Sequence, residues 1–447
     1  MISSRMTTQL FITTPKLLTP YLESELVELG FSDSVASVAG VHVSGTFNDV
    51  MRCNLLLRCA HRVLFPLVTF RAASAEDLYT HASRYAWEDV LNVDGYFSIV
   101  SSVDNDTIRN SQYAHVKLKD AIADRMRKLF GRRPDSGPRT DATVFFLYWK
   151  GSECSIYLDT SGTPLSKRGY RRLSHEAPLS EVLGAAIVKA TGWTPDEVFV
   201  NPMCGSGTLG IEAAMAATNT PSQHLRSNFG FMHSRLYNED EWMSIRSKAD
   251  AAIRTNVKAT IICTDKSASA IQATRMNART AGVMDYMDVR MCEFRQTPVP
   301  DGAGVVVMNP EYGERMGSVA TLEGVYESIG DWFKQKCSGK RAYVFTGNLD
   351  LGKRVGLRPS RKIPFYNADI ECRLYEYQMY QGTKRMRSHD GEGEGEDVFA
   401  SKNSTSDKLQ SSKKTTTQVE LSSDSRTVSS NDTSRDSSES TTSNPTE

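Results

Sequence analysis

The sequence predicts an α/β protein with a parallel-sheet domain in its second half, an α+β module before it and a disordered tail after it. Three observations carry this expectation. From about Glu176 onward, strand-like and helical stretches alternate regularly; the first half mixes the two without such alternation; and no aromatic residue follows Phe399.

The alternating region begins with a helix over Leu179–Thr191, a strand over Val198–Asn201 and a helix over Thr208–Ala217. Strands are then expected at Ile261–Thr264, Met287–Met291, Val305–Met308 and Arg341–Thr346, with helices Ser267–Ala281 and Leu322–Lys336 between them. The Tyr-rich segment Asp369–Tyr380 reads as the antiparallel edge of the same sheet. In the first half, Gln9–Thr13 and Val41–Val43 read as strands and Leu17–Leu29 as a helix. Tyr96–Val103 and Thr143–Trp149 are expected as strands around a helix at Tyr113–Phe130, with Ser155–Asp159 pairing back on Thr143–Trp149 as a hairpin.

Composition bounds the function. Across 447 residues, 53 basic residues match 53 acidic ones, so no global charge marks a nucleic-acid binder. Residues 383–447, rich in Ser and Thr, cannot bury enough apolar surface to offset their ordering entropy, and disorder is expected there. The eight cysteines form no C-x-x-C pair and have no His at metal-ligand spacing; they read as reduced core thiols, with no metal expected. Met1–Leu10 lacks a signal-peptide stretch and no run of eighteen apolar residues occurs, so a cytoplasmic protein is expected.

Two motifs can carry chemistry. Asn201-Pro202-Met203-Cys204-Gly205-Ser206-Gly207-Thr208 lies between an apolar strand and an apolar helix, where glycine allows positive φ and close backbone approach to a ligand. Gly205–Gly210 also satisfies G-x-G-x-x-G, but the ribose-binding acid of a nicotinamide site is expected about twenty residues on. Here Asp265 is the first acid to end a strand. It can accept hydrogen bonds from both ribose hydroxyls of an adenosine, or cap the helix that begins near Ala268. Glu293, after the next strand, can accept from an adenine amino group or be a surface acid.

The second motif, Asn309-Pro310-Glu311-Tyr312-Gly313-Glu314-Arg315, directly follows the strand Val305–Met308. An aryl amine is a poor nucleophile. A side-chain oxygen of Asn309 and a backbone carbonyl that accept its two N–H bonds stabilise the charge developing on nitrogen. Tyr312 can stack on a base taken out of its helix. A turn with an Asn cap is the structural alternative.

Together these residues resemble the amino-group methyltransferases, whose signature pairs a glycine-rich turn with N/D-P-P-Y/F. Leu158-Asp159-Thr160-Ser161-Gly162, Lys167-Arg168-Gly169-Tyr170-Arg171 and Ala177-Pro178-Leu179 resemble the linker between a THUMP RNA-binding domain and its catalytic domain. This is the order in the bacterial THUMP-containing 23S rRNA guanine-N2 methyltransferases. The resemblance implies a ferredoxin-like subdomain at 1–59, a THUMP domain at 60–164, a Rossmann-like class I methyltransferase domain at 165–382 and the tail at 383–447. It implies S-adenosylmethionine contacts at Asn201, Pro202, Cys204, Gly205, Gly207, Thr208, Asp265, Glu293 and Asn309, with Asn309, Pro310 and Tyr312 at the target base. Two residues depart from the family pattern: Asn201 stands where Asp is usual, and Glu311 replaces the second proline, while Pro310 keeps the carbonyl needed as acceptor.

RNA affinity must then come from local clusters. Lys117, Lys119, Arg125, Arg127, Lys128, Arg132, Arg133 and Arg139 crowd the THUMP-like segment, and Lys167, Arg168, Arg171 and Arg172 line the linker around Tyr170. Their spacing suits phosphate contacts, although such runs also occur as solvated faces. The expected activity is methyl transfer to the exocyclic N2 of a guanine in 23S rRNA. Adenine-N6 transfer and a non-catalytic RNA-binding assembly factor are the alternatives.

Overall fold

The computed structural model describes residues 6–380 apart from 106, 107, 109, 175–177 and 314–318. The expected disordered tail lies outside the described residues, as do Ala177, Glu314 and Arg315.

The first half builds β1 (Thr8–Thr13), α1 (Thr19–Glu28), β2 (Val35–Ser37), β3 (Gly40–Gly45), α2 (Phe47–Leu56), β4 (Arg62–Arg71), α3 (Ala75–Ala82), β5 (Tyr96–Asp104), α4 (Ser111–Phe130), β6 (Asp135–Ser136), β7 (Thr143–Lys150) and β8 (Glu153–Asp159). These eight strands form one sheet in the order β2-β3-β1-β4-β8-β7-β5-β6. Strand β4 pairs with β1 on one side and β8 on the other, so backbone hydrogen bonding runs unbroken past residues 59 and 60. The expected hairpin forms, with Val144 opposite Asp159 and Lys150 opposite Glu153. Local signals set the helix ends. Thr46 with Asp49 and Ser74 with Asp77 close capping boxes at α2 and α3, and Gly131, at φ +71°, ends α4 in the left-handed conformation.

The second half builds α5 (Glu181–Ala190), β9 (Val198–Pro202), α6 (Thr208–Ala217), α7 (Glu239–Ala251), β10 (Ile261–Asp265), α8 (Ala268–Thr280), β11 (Met287–Met291), β12 (Gly304–Met308), α9 (Val319–Lys336), β13 (Arg341–Thr346), α10 (Leu349–Arg354), β14 (Arg361–Asn367) and β15 (Ile370–Gln378). The sheet order is β11-β10-β9-β12-β13-β15-β14. The first five are parallel, and β12 is buried along its whole length, as a central strand covered on both faces requires.

One expectation is corrected here. The Tyr-rich segment is antiparallel but is not the edge, because β15 lies between β13 and β14. The true edge, β14, holds Pro364 and the adjacent charges Arg361 and Lys362, a composition that masks a strand in the sequence. An edge strand tolerates a proline because one side of its ladder has no partner.

The segment between α6 and β10 is a strap that binds the second half to the first. Gln223 donates its backbone N–H to Leu55 O and its amide to Leu165 O. Arg226 Nη2 donates to Ser161 O at 2.8 Å and Thr163 O at 2.7 Å, and Phe231 N donates to Thr160 O at 2.8 Å. Gly230 passes so close to the turn after β8 that a Cβ there would lie 2.4 Å from Asp159 O. A second tie is buried at Arg168, Tyr170 and Glu212 and partly buried at Arg58. Arg168 Nε faces Glu212 of α6 at 3.4 Å, Tyr170 donates to the same carboxylate at 3.1 Å, and Arg58 Nη2 reaches Met215 O and Thr220 O at the far end of α6.

Candidate active site

Strand β9 has β10 on one side and β12 on the other. It marks the point where strand order reverses, and the crevice beyond the carboxyl ends of the strands at such a point is where open α/β sheets bind ligands. The glycine turn leaves β9, Asp265 ends β10, and Asn309 follows β12. The sequence-predicted residues therefore meet on one edge of the sheet although more than a hundred positions separate them.

The glycine turn is held from several sides. Met203 at φ +53°, Gly205 at +55° and Gly207 at +84° take left-handed conformations in succession. Gly205 faces open space, whereas a Cβ on Gly207 would lie 2.7 Å from Thr274, so only glycine fits there. The Gly205 N–H donates to Asp265 Oδ2 at 3.0 Å, its carbonyl accepts from Thr274 Oγ1 at 2.9 Å, and Cys204 N donates to Thr264 O at 3.0 Å. Pro202 ends β9, and Thr208 opens α6, its hydroxyl accepting from Arg171. Ser267, not Asp265, caps α8; Asp265 Oδ1 accepts the Ser267 N–H at 2.9 Å instead. Each Asp265 oxygen thus keeps a further lone pair for a ligand hydroxyl. Glu293 lies two residues beyond β11 and accepts from Arg295 N at 2.7 Å.

Asn201 and Asn309 each carry a buried side-chain oxygen with no hydrogen-bond partner among the described residues. Asn201 Nδ2 donates to Val307 O at 2.8 Å, tying the glycine turn to the strand that leads to Asn309. Buried acceptors are rarely left unpaired, and two on one ligand-binding edge mark places where a ligand's donors belong. The residues present therefore fit a cofactor with a ribose diol and an amino group. Pro310 is buried. The Tyr312 hydroxyl accepts from Asn367 at 3.0 Å, its ring packs edge-on to Phe345, and burial pushes its pKa up to about 12. Glu311 is exposed, and its carbonyl accepts from Tyr326.

Three residues that the sequence reading did not assign to this turn complete it. Arg171 reaches Ser206, Thr208 and Glu181. Asn277 accepts both Arg172 N and Leu173 N and donates to Ser206 O, fastening the linker to the turn. Thr274 and Asn277 stand three apart on α8 and both are buried; two polar residues on the covered face of a helix were the available signal.

The expected phosphate contacts divide. Lys128, Arg133, Lys167 and Arg172 are exposed and without an ion-pair partner among the described residues. Arg132 is exposed but paired with Asp94 at 2.6 Å, and Arg125 is half-buried against Glu88. Arg168 is corrected: it is wholly buried against Glu212 and cannot reach a phosphate. Arg171 is corrected as well, since four of its five N–H donors are taken by Glu181, Ser206, Thr208 and Leu179 O. Both Arg side chains adjoin a basic neighbour in sequence, but the linker turns them inward.

The fold and this pair of turns define a class I, S-adenosylmethionine-dependent methyltransferase domain preceded by an α+β module. Family models match along the chain: an RlmL ferredoxin-like domain over residues 9–64, a THUMP domain over 72–159 and an RMKL-like methyltransferase domain over 168–376. The chain is 38% identical over 376 residues to the ribosomal RNA large subunit methyltransferase K/L of Psychromonas ingrahamii, covering 83% of this chain and 50% of that protein. It is 32% identical over 370 residues to the Synechocystis protein named "Putative RNA methyltransferase slr0064", covering 83% and 96%. The solved structure titled "SMU.472, a putative methyltransferase complexed with SAH" superposes with a TM-score of 0.77 at 26% identity, covering 85% of this chain and all of that one. The chain belongs to the RMKL-like methyltransferase family. It spans about half the length of the K/L relatives it matches.

Proposed function

We propose that the chain transfers a methyl group from S-adenosylmethionine to the exocyclic N2 of a guanine in 23S rRNA, in the cytoplasm. The observation that supports this most is the buried, unpartnered Asn309 oxygen on the ligand-binding edge of the sheet. S-adenosylmethionine supplies an electrophilic methyl group when bound. Asp265 would hold its ribose diol, Glu293 its adenine amino group, and the glycine turn from Asn201 through Pro202, Cys204, Gly205, Gly207 and Thr208 would line its methionyl side.

Asn309 Oδ1 and the Pro310 carbonyl would accept the two N–H bonds of the guanine amino group, which raises electron density on nitrogen and stabilises the charge that develops there. The Tyr312 ring, fixed through Asn367, would support the extruded base. Replacing the second proline by Glu311 leaves both acceptors in place. Lys128, Arg132, Arg133 and Lys167 would contact RNA phosphates, with Arg125 bracing its helix against Glu88.

The test is transfer of labelled methyl from S-adenosylmethionine to protein-free 23S rRNA lacking the modification, followed by nucleoside mass spectrometry. Label in N2-methylguanosine is expected. Label in N6-methyladenosine would reassign the target. No label from folded protein that binds both cofactor and RNA would leave an assembly factor.

A further inference from the structure

Helix α1 of the first half reaches the sheet of the second. Tyr21, on its first turn, stacks on Phe365 of β14 with ring centres 5.7 Å apart and planes 9° from parallel. Phe365 meets Phe345 of β13 at 6.0 Å and 72°, and Phe345 meets Tyr312 at 6.4 Å and 80°. Four rings thus run from the first half to the aromatic residue of the Asn309 turn. Strand register explains the line. Phe345 lies opposite Leu374 and Phe365 opposite Cys372, two residues apart on β15, so both rings stand on one face of the sheet. Both are wholly buried, in a core to which the two halves contribute.

Each end of the line is held. Leu22 and Leu26 are buried on α1, and Glu25 accepts Cys59 N at 2.8 Å and Arg58 N at 3.0 Å, so Tyr21 stands on a fixed helix. Lys16 Nζ lies 3.9 Å from the centre of the Tyr366 ring, a second contact from the first half to the same strand. At the other end the β14–β15 hairpin closes on Tyr312. Ala368, in its two-residue tip, takes φ +53°, and Asn367, paired with Ile370 across the tip, donates to Tyr312 Oη at 3.0 Å. Gly347 lets the ring approach its backbone, because a Cβ there would lie 2.7 Å from Tyr312 and 2.8 Å from Ile370.

Tyr312 lies on a loop after β12, so no strand or helix of its own fixes its ring. Packed rings do so instead: interiors are close-packed, and a buried ring that shifts must push its neighbour. We propose that Tyr21 is a positioning residue for methyl transfer, setting through Phe365 and Phe345 the place of the Tyr312 ring against which the target base rests. The proposal rests on the role given to Tyr312 above. The first half would then serve the chemical step itself, apart from any contact it makes with RNA. A displaced base support moves the attacking nitrogen off line from the methyl group, and misplacement by about 1 Å can cost about a hundredfold in rate.

The test uses the full chain, with protein-free 23S rRNA lacking the modification as substrate. Tyr21→Leu keeps apolar volume and removes the stacked ring. Its single-turnover rate of methyl transfer should fall about tenfold, with affinities for S-adenosylmethionine and rRNA unchanged. Tyr21→Phe, which keeps the ring, should recover the wild-type rate. In a Tyr312→Ala background Tyr21→Leu should cost nothing further, because the residue through which it acts is gone. Lys16→Met, at an exposed position, should lower the rate about two- to fivefold, the weight of one exposed cation–π contact, and it decides the matter where Tyr21→Leu does not fold. An undiminished rate in Tyr21→Leu, or in Lys16→Met where that variant decides, with Tyr312→Ala slow, would overturn the proposal and keep Tyr312 at the base. Losses that add in the double variant, or a rate that falls only in step with rRNA affinity, would overturn it by making Tyr21 a structural residue. A wild-type rate in Tyr312→Ala would overturn the reading of Tyr312 and the proposal with it.

Discussion

Arg171 lies across the glycine turn, its Nη1 donating to Ser206 Oγ at 2.9 Å while its Nε faces Glu181 at 3.0 Å. A linker arginine thereby sets the shape of the glycine turn. Arg171→Ala would leave Glu181 and Ser206 without their partner. Loss of such a charge-assisted set costs on the order of 1.5–3 kcal/mol, so cofactor affinity should fall roughly ten- to hundredfold. Arg171→Lys should recover part of it. Calorimetry with S-adenosylmethionine checks this, and the salt dependence of RNA binding should not move. A variant that loses RNA affinity and keeps cofactor affinity would return Arg171 to the phosphate contacts.

In the proposed site Asp265 joins the turn to the ribose. Its Oδ2 accepts the Gly205 N–H, so Asp265→Ala removes both a ligand contact and a brace. Cofactor affinity should weaken about ten- to hundredfold, while Asp265→Asn should fall between the two. Unchanged affinity in a folded Asp265→Ala protein, measured by calorimetry, removes this assignment.

Asn309 carries the chemistry in the proposed reaction. Asn309→Ala should lower the single-turnover rate of methyl transfer by about 10²–10³, the scale for one transition-state hydrogen bond, with cofactor binding kept. Glu311→Gln and Glu311→Pro should stay within about tenfold of wild type, because the proposed reaction gives the exposed Glu311 carboxylate no part. A large loss in Glu311→Gln alone would make that carboxylate the base that takes the amine proton.

His61 gives the fold a pH dependence. Burial, reinforced by the neighbouring Arg62 charge, lowers its pKa to about 4. The folded-state value lies below the unfolded value of about 6.5, so between these two pH values the unfolded chain binds more protons. This contribution to stability is complete above about pH 6.5 and is lost as pH falls toward 4, amounting to about 3 kcal/mol. Urea unfolding at pH 7.5, 5.5 and 4.5 should show His61→Asn losing less stability on acidification than wild type. Parallel curves for the two proteins would assign the acid sensitivity to other groups.

Much of the fold was legible in the sequence, for a physical reason visible in its strands. The central strands β9, β10 and β12 are covered on both faces, so they appear as uninterrupted apolar runs bounded by glycine, Asp265 and Asn309. Helix α8 carries the spacing of one covered face, while α6 is a short apolar helix buried nearly all round. The two turns were legible because glycine at positive φ and an Asn-Pro pair after a strand admit few other residues. The edge strand β14 and the strap at 219–238 were not, since neither has a periodic apolar face to declare it.

By itself, the sequence determined the order of the parallel strands, the residue types of the two turns and the family to which the chain belongs, because these depend on residue type and local spacing. Tertiary structure alone decided which basic side chains are free. Arg168 and Arg171 stand in the same run as Lys167 and Arg172, yet the linker turns the first two inward to Glu212 and Glu181 and leaves the other two in solvent. Charge in a sequence carries no direction. Burial supplies it, because an arginine inside must find a carboxylate, and only the packed fold shows where those carboxylates are.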